Sequence, residues 1–309
     1  MYKIFIDGKA GTTGLRIFDR LEGRNDIQLI TLSEEDRKKS ECRKEAINSA
    51  DIAFLCLPDA ASIEAVGMAN DKVRIIDTST AHRTLPDWAY GFPELSEKHL
   101  EKIVNSKRVA VPGCHASGFI SLIYPLVKNG IISPDCNLSC SSLTGYSGAG
   151  KKTIADYQSP DRPSLWDAPR EYGIKQTHKH LKEMKLISGI SKEPIFTPII
   201  ADFYSGMLVT VGLFKEQLQS GKTIDHIKEI YASLYNSNIV TYCENVDEEG
   251  FVSANKLSGK DNMQIFVEGN DDRILLMARY DNLGKGASGA ALQCMNILLG
   301  EKQYTGLNI

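Results

Sequence analysis

The chain has 309 residues, of which 42% are hydrophobic and 24% charged, and its formal net charge is −3. This length is sufficient for two domains, and the charge balance argues against a nucleic-acid-binding protein. No apolar run reaches the ~18 residues that a membrane span requires, and the strand-like start at residues 2–6 lacks the features of a signal peptide. We therefore expect a cytoplasmic protein with no nucleic-acid or membrane partner.

The cysteines are odd in number and scattered, which fits a reduced intracellular protein better than a disulfide framework. Cys136 and Cys140 lie four residues apart, but no second pair at zinc spacing accompanies them, so we interpret them as structural and predict no metal site. The seven positions are Cys42, Cys56, Cys114, Cys136, Cys140, Cys243 and Cys294.

The chain opens with a strand pattern over residues 2–7, a glycine turn, and an amphipathic helix from Leu15 to about Leu21. Glycines at this turn let backbone N–H groups approach a pyrophosphate, and the helix N-terminus attracts its charge. The spacing departs from G-x-G-x-x-G, and a plain tight turn would also use glycine. We predict a dinucleotide site with contacts from Gly8, Gly11, Thr12, Thr13 and Gly14.

The loop after the second strand bears on the type of cofactor. Glu34 and Glu35, about twenty residues beyond the turn, could accept from a ribose hydroxyl as in NAD enzymes. Basic residues in the same loop would suit a 2′-phosphate instead. The sequence favours NADP(H) and leaves NAD open, with Ser33 and Arg37 as candidate contacts and with Lys38 and Lys39 beside them.

Short apolar runs then alternate with helical segments, a pattern typical of a doubly wound parallel sheet. The runs are 27–32, 52–57, 73–77 and 109–111. Ligands bind at the carboxyl ends of such strands, so the loops that hold Pro58 and Arg83 lie on the predicted ligand side. Pro58 is a candidate cofactor contact. Arg83 is a planar cation suited to phosphate or carboxylate, although a surface arginine is the commoner outcome for this residue type.

Cys114 follows Pro112 and Gly113 and opens a helix whose body is the apolar run 119–127. N–H groups and the helix dipole at this position favour the thiolate, which is the nucleophilic form. A single cysteine is more often a small buried hydrophobe. Its interpretation as a nucleophile therefore depends on what accompanies it.

Beyond Cys114 the pattern changes to alternating stretches at 137–144, 196–200, 207–214 and 274–280. These predict a larger mixed or antiparallel sheet. The glycine-rich segment 281–289 feeds a last helix that we expect to return to the first domain. The predicted fold class is α/β: a Rossmann domain with a doubly wound parallel sheet at 1–113 and 285–309, and an α+β domain with the mixed or antiparallel sheet at 114–284.

His178 and His180 form the second cluster with chemical potential. Two residues apart, they share a face on a strand and diverge on a helix. A metal site would need a third ligand, for which Glu183 is the nearest candidate, and a solvated polar segment is the ordinary alternative. An imidazole with a pKa near 6.5 could exchange protons with a cysteine, and Glu183 could orient it.

Taken in order, these motifs resemble the short-form N-acetyl-gamma-glutamyl-phosphate reductases, a family in the group that includes aspartate-semialdehyde and glyceraldehyde-3-phosphate dehydrogenases. The resemblance covers most of the chain. It rests on residues 8–14, 77–83, 90–95, 111–114, 147–152, 178–180, 196–198 and 281–287.

The resemblance implies roles for particular residues. Cys114 would be the nucleophile and His178 the acid/base, with Glu183 as supporting carboxylate at the substrate site. Further implied contacts are Ser147 and Arg83 to the substrate and Asn282 to the nicotinamide carboxamide. The implied reaction is NADPH-dependent reductive dephosphorylation of N-acetyl-L-glutamyl 5-phosphate through a Cys114 thioester, in arginine biosynthesis, by a homodimer or homotetramer.

Three alternatives stay open from the sequence. A related dehydrogenase could act on an aspartyl or aminoadipyl phosphate. A cysteine hydrolase would share Cys114 and His178 but need no dinucleotide, and the glycine turn argues against it. A non-enzymatic NADP-sensing protein would bind the cofactor and tolerate loss of Cys114.

Overall fold

The computed structural model describes residues 1–246 and 248–309. By its internal contacts the chain divides into two compact units. The first unit comprises residues 1–93, 97–112 and 287–307, and the second comprises 94–96, 113–286 and 308–309. The last helix of the chain therefore belongs to the first unit.

The first unit contains a parallel sheet in the order β2-β1-β3-β4-β6-β5. Its strands are β1 (Tyr2–Asp7), β2 (Ile27–Ile30), β3 (Ile52–Leu55), β4 (Arg74–Asp77), β5 (Ala89–Tyr90) and β6 (Arg108–Ala110). Its helices are α1 (Thr12–Glu22), α2 (Ser40–Ser49), α3 (Asp59–Met68), α4 (Glu97–Val104) and α9 (Gly289–Leu299).

Both faces of this sheet are buried, which explains the continuous apolar runs of its strands. Successive residues of a strand point to opposite faces, so Ile52 and Phe54 enter one apolar cluster while Ala53 and Leu55 enter another. Helix α9 packs into the first of these clusters.

The second unit is built on a mixed sheet in the order β11-β12-β13-β10-β7-β9-β8, in which β7 and β9 are parallel and β10 is antiparallel to its neighbours. The strands are β7 (Ser139–Gly145), β8 (Arg170–Glu171), β9 (Ile195–Ala201), β10 (Met207–Phe214), β11 (Val240–Tyr242), β12 (Met263–Gly269) and β13 (Arg273–Tyr280). The helices are α5 (Cys114–Lys128), α6 (Lys151–Gln158), α7 (His180–Ser188) and α8 (Ile224–Leu234). Helix α5 packs against α7, β10 and β13.

The predicted fold class is confirmed, a parallel doubly wound sheet plus a unit with a mixed sheet. Two details differ. Helix α1 begins at Thr12 rather than Leu15, because Gly11 is its N-cap and the two threonines form its first turn. The strands β5, β8, β11 and β12 were not predicted. Within the described residues, no helix is long and apolar enough to cross a membrane.

Candidate active site

The glycine turn after β1 has a backbone that other residues could not adopt. Gly8 has a φ of +87°, and a Cβ there would lie 2.2 Å from the carbonyl oxygen of Cys56. A Cβ on Gly14 would lie 2.5 Å from the carbonyl oxygen of Gly8. Gly11 caps α1 without any side-chain hydrogen bond, so the first-turn N–H groups face no capping side chain. Such a turn suits an anionic diphosphate.

A cavity of about 600 Å³ lies beside this turn and is lined by Gly8, Lys9, Arg37 and Lys38 among others. Arg37 also pairs with the exposed Glu34. The ammonium of Lys39 instead lies 2.9 Å from Glu35 and 3.0 Å from Asp36. The cradle formed by the glycines and the cationic wall fit a dinucleotide that carries an additional phosphate.

Two further predicted cofactor residues lie near the same end of the sheet. The Ser33 hydroxyl donates to Asp36 at 2.8 Å and also accepts from the Asp36 backbone N–H at 3.0 Å, which stabilises the turn that leads to Arg37. Pro58 is the extended N-cap of α3, directly after β3. Each residue thus has a structural role, Ser33 in the turn and Pro58 at the start of α3. A cofactor role for either residue stays a prediction.

The loop after β4 is held by a buried carboxylate. Asp77 accepts hydrogen bonds of 2.6 Å from the hydroxyls of Ser62 and Ser79, and one of its oxygens lies 2.6 Å from Nδ1 of His82. Burial acts to raise the pKa of Asp77, but these partners outweigh it and hold the pKa below its usual value. Asp77 is therefore an anion that rigidifies the loop, a role that the sequence did not predict.

Arg83 ends this loop and is buried rather than on the surface. Its Nε donates to the carbonyl of Val111 at 2.8 Å, and its Nη2 donates to the carbonyl of Thr78 at 2.9 Å. The guanidinium thus connects the loops that follow two neighbouring strands of the sheet. Packing and hydrogen bonds fix its orientation, as a binding residue requires.

In the second unit, Cys114 is the first residue of α5 and is partly exposed. Gly113 is the extended N-cap and contributes no side-chain cap. The backbone N–H of Gly113 donates to Oε1 of Glu183 at 2.8 Å, and Glu183 is 2% exposed. Glu183 therefore anchors the main chain directly before the cysteine, and its role in orienting an imidazole stays a prediction.

The two predicted histidines lie together because His178 precedes α7 and His180 begins it. Their ring centroids are 4.7 Å apart, and Nδ1 of His178 accepts from the backbone N–H of His180 at 3.2 Å. This backbone donor orients the His178 ring. Burial, with a smaller contribution from Lys179, holds the pKa of His178 below its ordinary value. His178 is therefore neutral at neutral pH and able to accept a proton.

A third imidazole, His115, joins this cluster and was not predicted. Its ring centroid lies 5.7 Å from that of His178, and its nitrogens lie 2.7 Å from the hydroxyls of Ser142 and Tyr172. Burial, followed by the proximity of His178, lowers the pKa of His115 to about 3. His115 is therefore a neutral side chain, and its two hydrogen bonds hold it in place beside His178.

Ser147 and Asn282, for which the sequence implied separate roles, are joined by a hydrogen bond. Nδ2 of Asn282 donates to Oγ of Ser147 at 3.0 Å, and Oδ1 of Asn282 accepts from the backbone N–H of Gly206 at 2.9 Å. Both side chains are buried. Among residues 1–246 and 248–309, no group of three or more His, Cys, Asp or Glu is arranged to hold a metal ion.

Comparison with known proteins defines the class. Residues 3–103 match the family model of the semialdehyde dehydrogenase NAD-binding domain, and residues 114–282 match that of the semialdehyde dehydrogenase dimerisation domain. Aspartate semialdehyde dehydrogenase II from Vibrio cholerae has a similar fold, with a TM-score of 0.71 at 15% identity over 97% of this chain and 98% of that one. The enzyme from Francisella tularensis gives 0.70 at 16% identity, over 97% and 100% of the two chains.

Curated relatives narrow this class. N-acetyl-gamma-glutamyl-phosphate reductases from Rhizobium etli and Sinorhizobium medicae are 45% and 43% identical, over 96% of this chain and 98% of theirs. The reductase from Brucella ovis is 41% identical over 97% of this chain and 99% of its own. This chain therefore belongs to the semialdehyde dehydrogenases and, within them, to the family of N-acetyl-gamma-glutamyl-phosphate reductases. The resemblance found in the sequence is confirmed.

Proposed function

We propose that this protein catalyses the reversible NADPH-dependent reduction of N-acetyl-L-glutamyl 5-phosphate to N-acetyl-L-glutamate 5-semialdehyde and phosphate, in arginine biosynthesis. The observation that carries the proposal is Cys114 at the start of α5, followed directly by His115, whose ring centroid lies 5.7 Å from that of His178, a histidine that is neutral at neutral pH. The family membership, the NAD-binding domain and the relatives' shared name support it.

In the first half-reaction the Cys114 thiolate attacks the acyl carbon. N–H groups in the first turn of α5 are placed to stabilise the oxyanion that forms, because the N-cap Gly113 offers no competing side chain. Phosphate leaves with the electron pair of the C–O bond, and we propose that Arg83 binds it. The acyl group remains on Cys114 as a thioester, which divides one difficult step into two easier ones.

In the second half-reaction the nicotinamide cofactor, when bound, would supply a hydride, which brings the thioester carbon to the level of a thiohemiacetal. Hydride addition leaves the former carbonyl oxygen as an alkoxide, whose electron pair re-forms the C=O bond as sulfur leaves. The C–S bond breaks, Cys114 leaves as thiolate, and the aldehyde is released. In the reverse direction His178, which its lowered pKa keeps neutral, accepts the hydroxyl proton of the thiohemiacetal. Glu183 keeps the backbone before Cys114 in place throughout.

The remaining assignments follow the same proposal. The substrate also contacts Ser147, and the cofactor contacts Gly8, Gly11, Thr12, Thr13, Gly14, Ser33, Arg37, Pro58 and Asn282. The cofactor domain is 1–113 with 285–309, and the catalytic domain is 114–284. The match to a dimerisation domain supports a homo-oligomer, which we propose to be a dimer or tetramer in the cytoplasm.

The test is phosphate-dependent reduction of NADP with three substrates: N-acetylglutamate semialdehyde, aspartate semialdehyde and aminoadipate semialdehyde. We expect turnover with the first, followed at the nicotinamide absorbance, and dependence on added phosphate. A higher kcat/KM for either of the other two semialdehydes would show that the protein acts on the corresponding acyl phosphate instead. Turnover without cofactor reduction would favour a hydrolase.

A further inference from the structure

The last residue of β13 reaches into the first turn of α5. The hydroxyl of Tyr280 donates to the carbonyl of Cys114 at 2.5 Å and accepts from the backbone N–H of Gly118 at 3.0 Å. In a regular α-helix the N–H of each residue donates to the carbonyl four residues earlier, so these are the two groups that would bond to each other. The Tyr280 hydroxyl therefore binds the same carbonyl and the same amide that the first turn of α5 pairs within the helix.

The surroundings are built to admit this hydroxyl. A Cβ on Gly118 would lie 2.7 Å from the Tyr280 oxygen and 2.5 Å from Cγ2 of Val209. A Cβ on Gly286 would lie 3.1 Å from Cβ of Cys114 and 3.4 Å from the Tyr280 ring. Glycines on two separate elements thus provide the room that Tyr280 occupies beside the cysteine.

The hydroxyl also has a defined orientation. A carbonyl oxygen can only accept and a backbone N–H can only donate, so the Tyr280 proton points at Cys114. The side chain is fully buried, and burial keeps the pKa of its hydroxyl well above the ordinary value, which keeps the donor protonated. The carbonyl of Cys114 therefore accepts a hydrogen bond from a residue outside the helix.

We propose that Tyr280 is a positioning residue for Cys114: its hydroxyl, bonded to both the carbonyl of Cys114 and the amide of Gly118, holds the first turn of α5 in the geometry that makes the thiol reactive. The proposal rests on the proposed function of Cys114 as nucleophile. A hydrogen bond that withdraws charge from the carbonyl of the same residue favours the thiolate, since the carbonyl oxygen is the nearest negative end of a dipole.

Other titratable groups act on the same cysteine. Tyr172, beyond β8, and Tyr280 both interact electrostatically with Cys114. Glu183 on α7 binds the preceding N–H, and Cys140 on β7 and Glu183 both interact with Tyr280. The test therefore changes only the Tyr280 hydroxyl and leaves these groups in place.

The experiment compares Tyr280→Phe with Tyr235→Phe in the full chain. Tyr235 is the matched control because its hydroxyl is also buried and also donates to a carbonyl of α5, that of Ser121, at 2.6 Å. Each variant is alkylated with iodoacetamide between about pH 5 and about pH 10, which brackets ordinary thiol titration, and labelling of Cys114 is followed by peptide mass spectrometry. Steady-state kcat and KM are measured in parallel.

We expect Tyr280→Phe to raise the midpoint of the Cys114 labelling profile by about one pH unit and to lower kcat about tenfold with little change in KM, as for the loss of one hydrogen bond. Tyr235→Phe should leave both unchanged. A Tyr280→Phe profile that overlays that of Tyr235→Phe would overturn the proposal, while turnover by a Cys114→Ser variant would instead overturn the proposed function.

A second variant serves if Tyr280→Phe does not fold. The residue 3-fluorotyrosine at position 280 keeps the shape and both bonds but has a more acidic hydroxyl, which donates more strongly. It should move the labelling midpoint downward, in the opposite direction to Tyr280→Phe. A midpoint equal to that of the unmodified protein would contradict the proposal.

Discussion

Helices α1 and α5 begin in the same way, yet their surroundings differ. Each has an extended glycine N-cap, Gly11 or Gly113, with no side-chain hydrogen bond to the first turn. Around α1 lies an open cavity with cationic residues on its wall. At the start of α5 lie the buried His115, which bonds to Ser142 and Tyr172, and Tyr280, which bonds to the helix itself.

The comparison indicates that free N–H groups at a helix start can bind different negative charges, and that the neighbouring side chains decide which charge they bind. Open N–H groups beside basic side chains suit a diphosphate, which must bind and leave. Open N–H groups beside a thiol and a neutral imidazole suit a charge that exists only during the reaction. Changes near α5 should therefore affect chemistry, and changes near α1 should affect cofactor binding.

The largest expected effect is that of Cys114→Ser. We expect the oxidation of N-acetylglutamate semialdehyde to fall by about 10³-fold or more, because the nucleophile is lost, with the Kd for NADP within about twofold of the parent. Absorbance assays and fluorescence titration measure the two quantities. Cys136→Ser is the control and should retain activity. Parent-like turnover by Cys114→Ser would contradict the view that the start of α5 serves the chemistry and the start of α1 serves cofactor binding.

Replacement of His178 is next. His178→Asn should lower kcat by about 10²-fold to 10³-fold, since a general acid/base is lost, while Cys114 remains open to alkylation. The parent rate should fall as pH decreases through the His178 pKa, which lies below the ordinary value. His180→Asn is the matched control, and if it alone produced the loss, the acid/base would be His180.

The acid stability of the second unit tests the neutral state of His115. Folded His115 has a pKa of about 3 and the unfolded residue one of about 6.5, so below about pH 6.5 protons bind preferentially to the unfolded chain. The free energy of unfolding should fall by about 2 kcal/mol between about pH 6.5 and about pH 5 through this residue alone.

His115→Gln, which is neutral at every pH and still offers a donor and an acceptor, should lose that part of the pH dependence. Urea unfolding at both pH values measures it, and His226→Gln, which removes a half-buried histidine in the first turn of α8, is the control. Equal pH dependence in His115→Gln and the parent would show that His115 is not held neutral.

The smallest effect is expected beside α1. Arg37→Ser should raise the KM for NADPH about tenfold and leave that for NADH unchanged, because one charge-assisted contact to the 2′-phosphate is lost. Lys39→Ser is the control, since Lys39 is paired with Glu35 and Asp36. An equal rise in KM for NADPH and NADH would indicate that Arg37 contacts the diphosphate or stabilises the fold instead.

The sequence predicted those parts of the fold that depend on residues close together in the chain. The glycine turn and α1 follow from residues a few positions apart, and the apolar runs of β3 and β4 follow from burial on both faces. Strand β5 has only two residues, too few for any periodic signal. Its existence depends on pairing with β6, which is a tertiary interaction.

The site was only partly predictable for the same reason. Cys114 and His178 are conspicuous by residue type, but the partners of His115 lie 27 and 57 residues away and Tyr280 lies 166 residues from Cys114. No spacing rule connects positions so far apart. Glu183 was predicted to support an imidazole, and its bond to the backbone of Gly113, 70 residues away, was not predictable from the sequence.

The space around Tyr280 has a consequence for how this site can change during evolution. A methyl group at Gly118 would meet the Tyr280 oxygen and Val209 together, and one at Gly286 would meet Cys114. A side chain at position 118 is therefore blocked unless both Val209 and Tyr280 give way, and one at position 286 would press on Cys114 itself. Homologues with a side chain at position 118 should accordingly carry smaller residues at both 209 and 280, so that these three positions vary as a set.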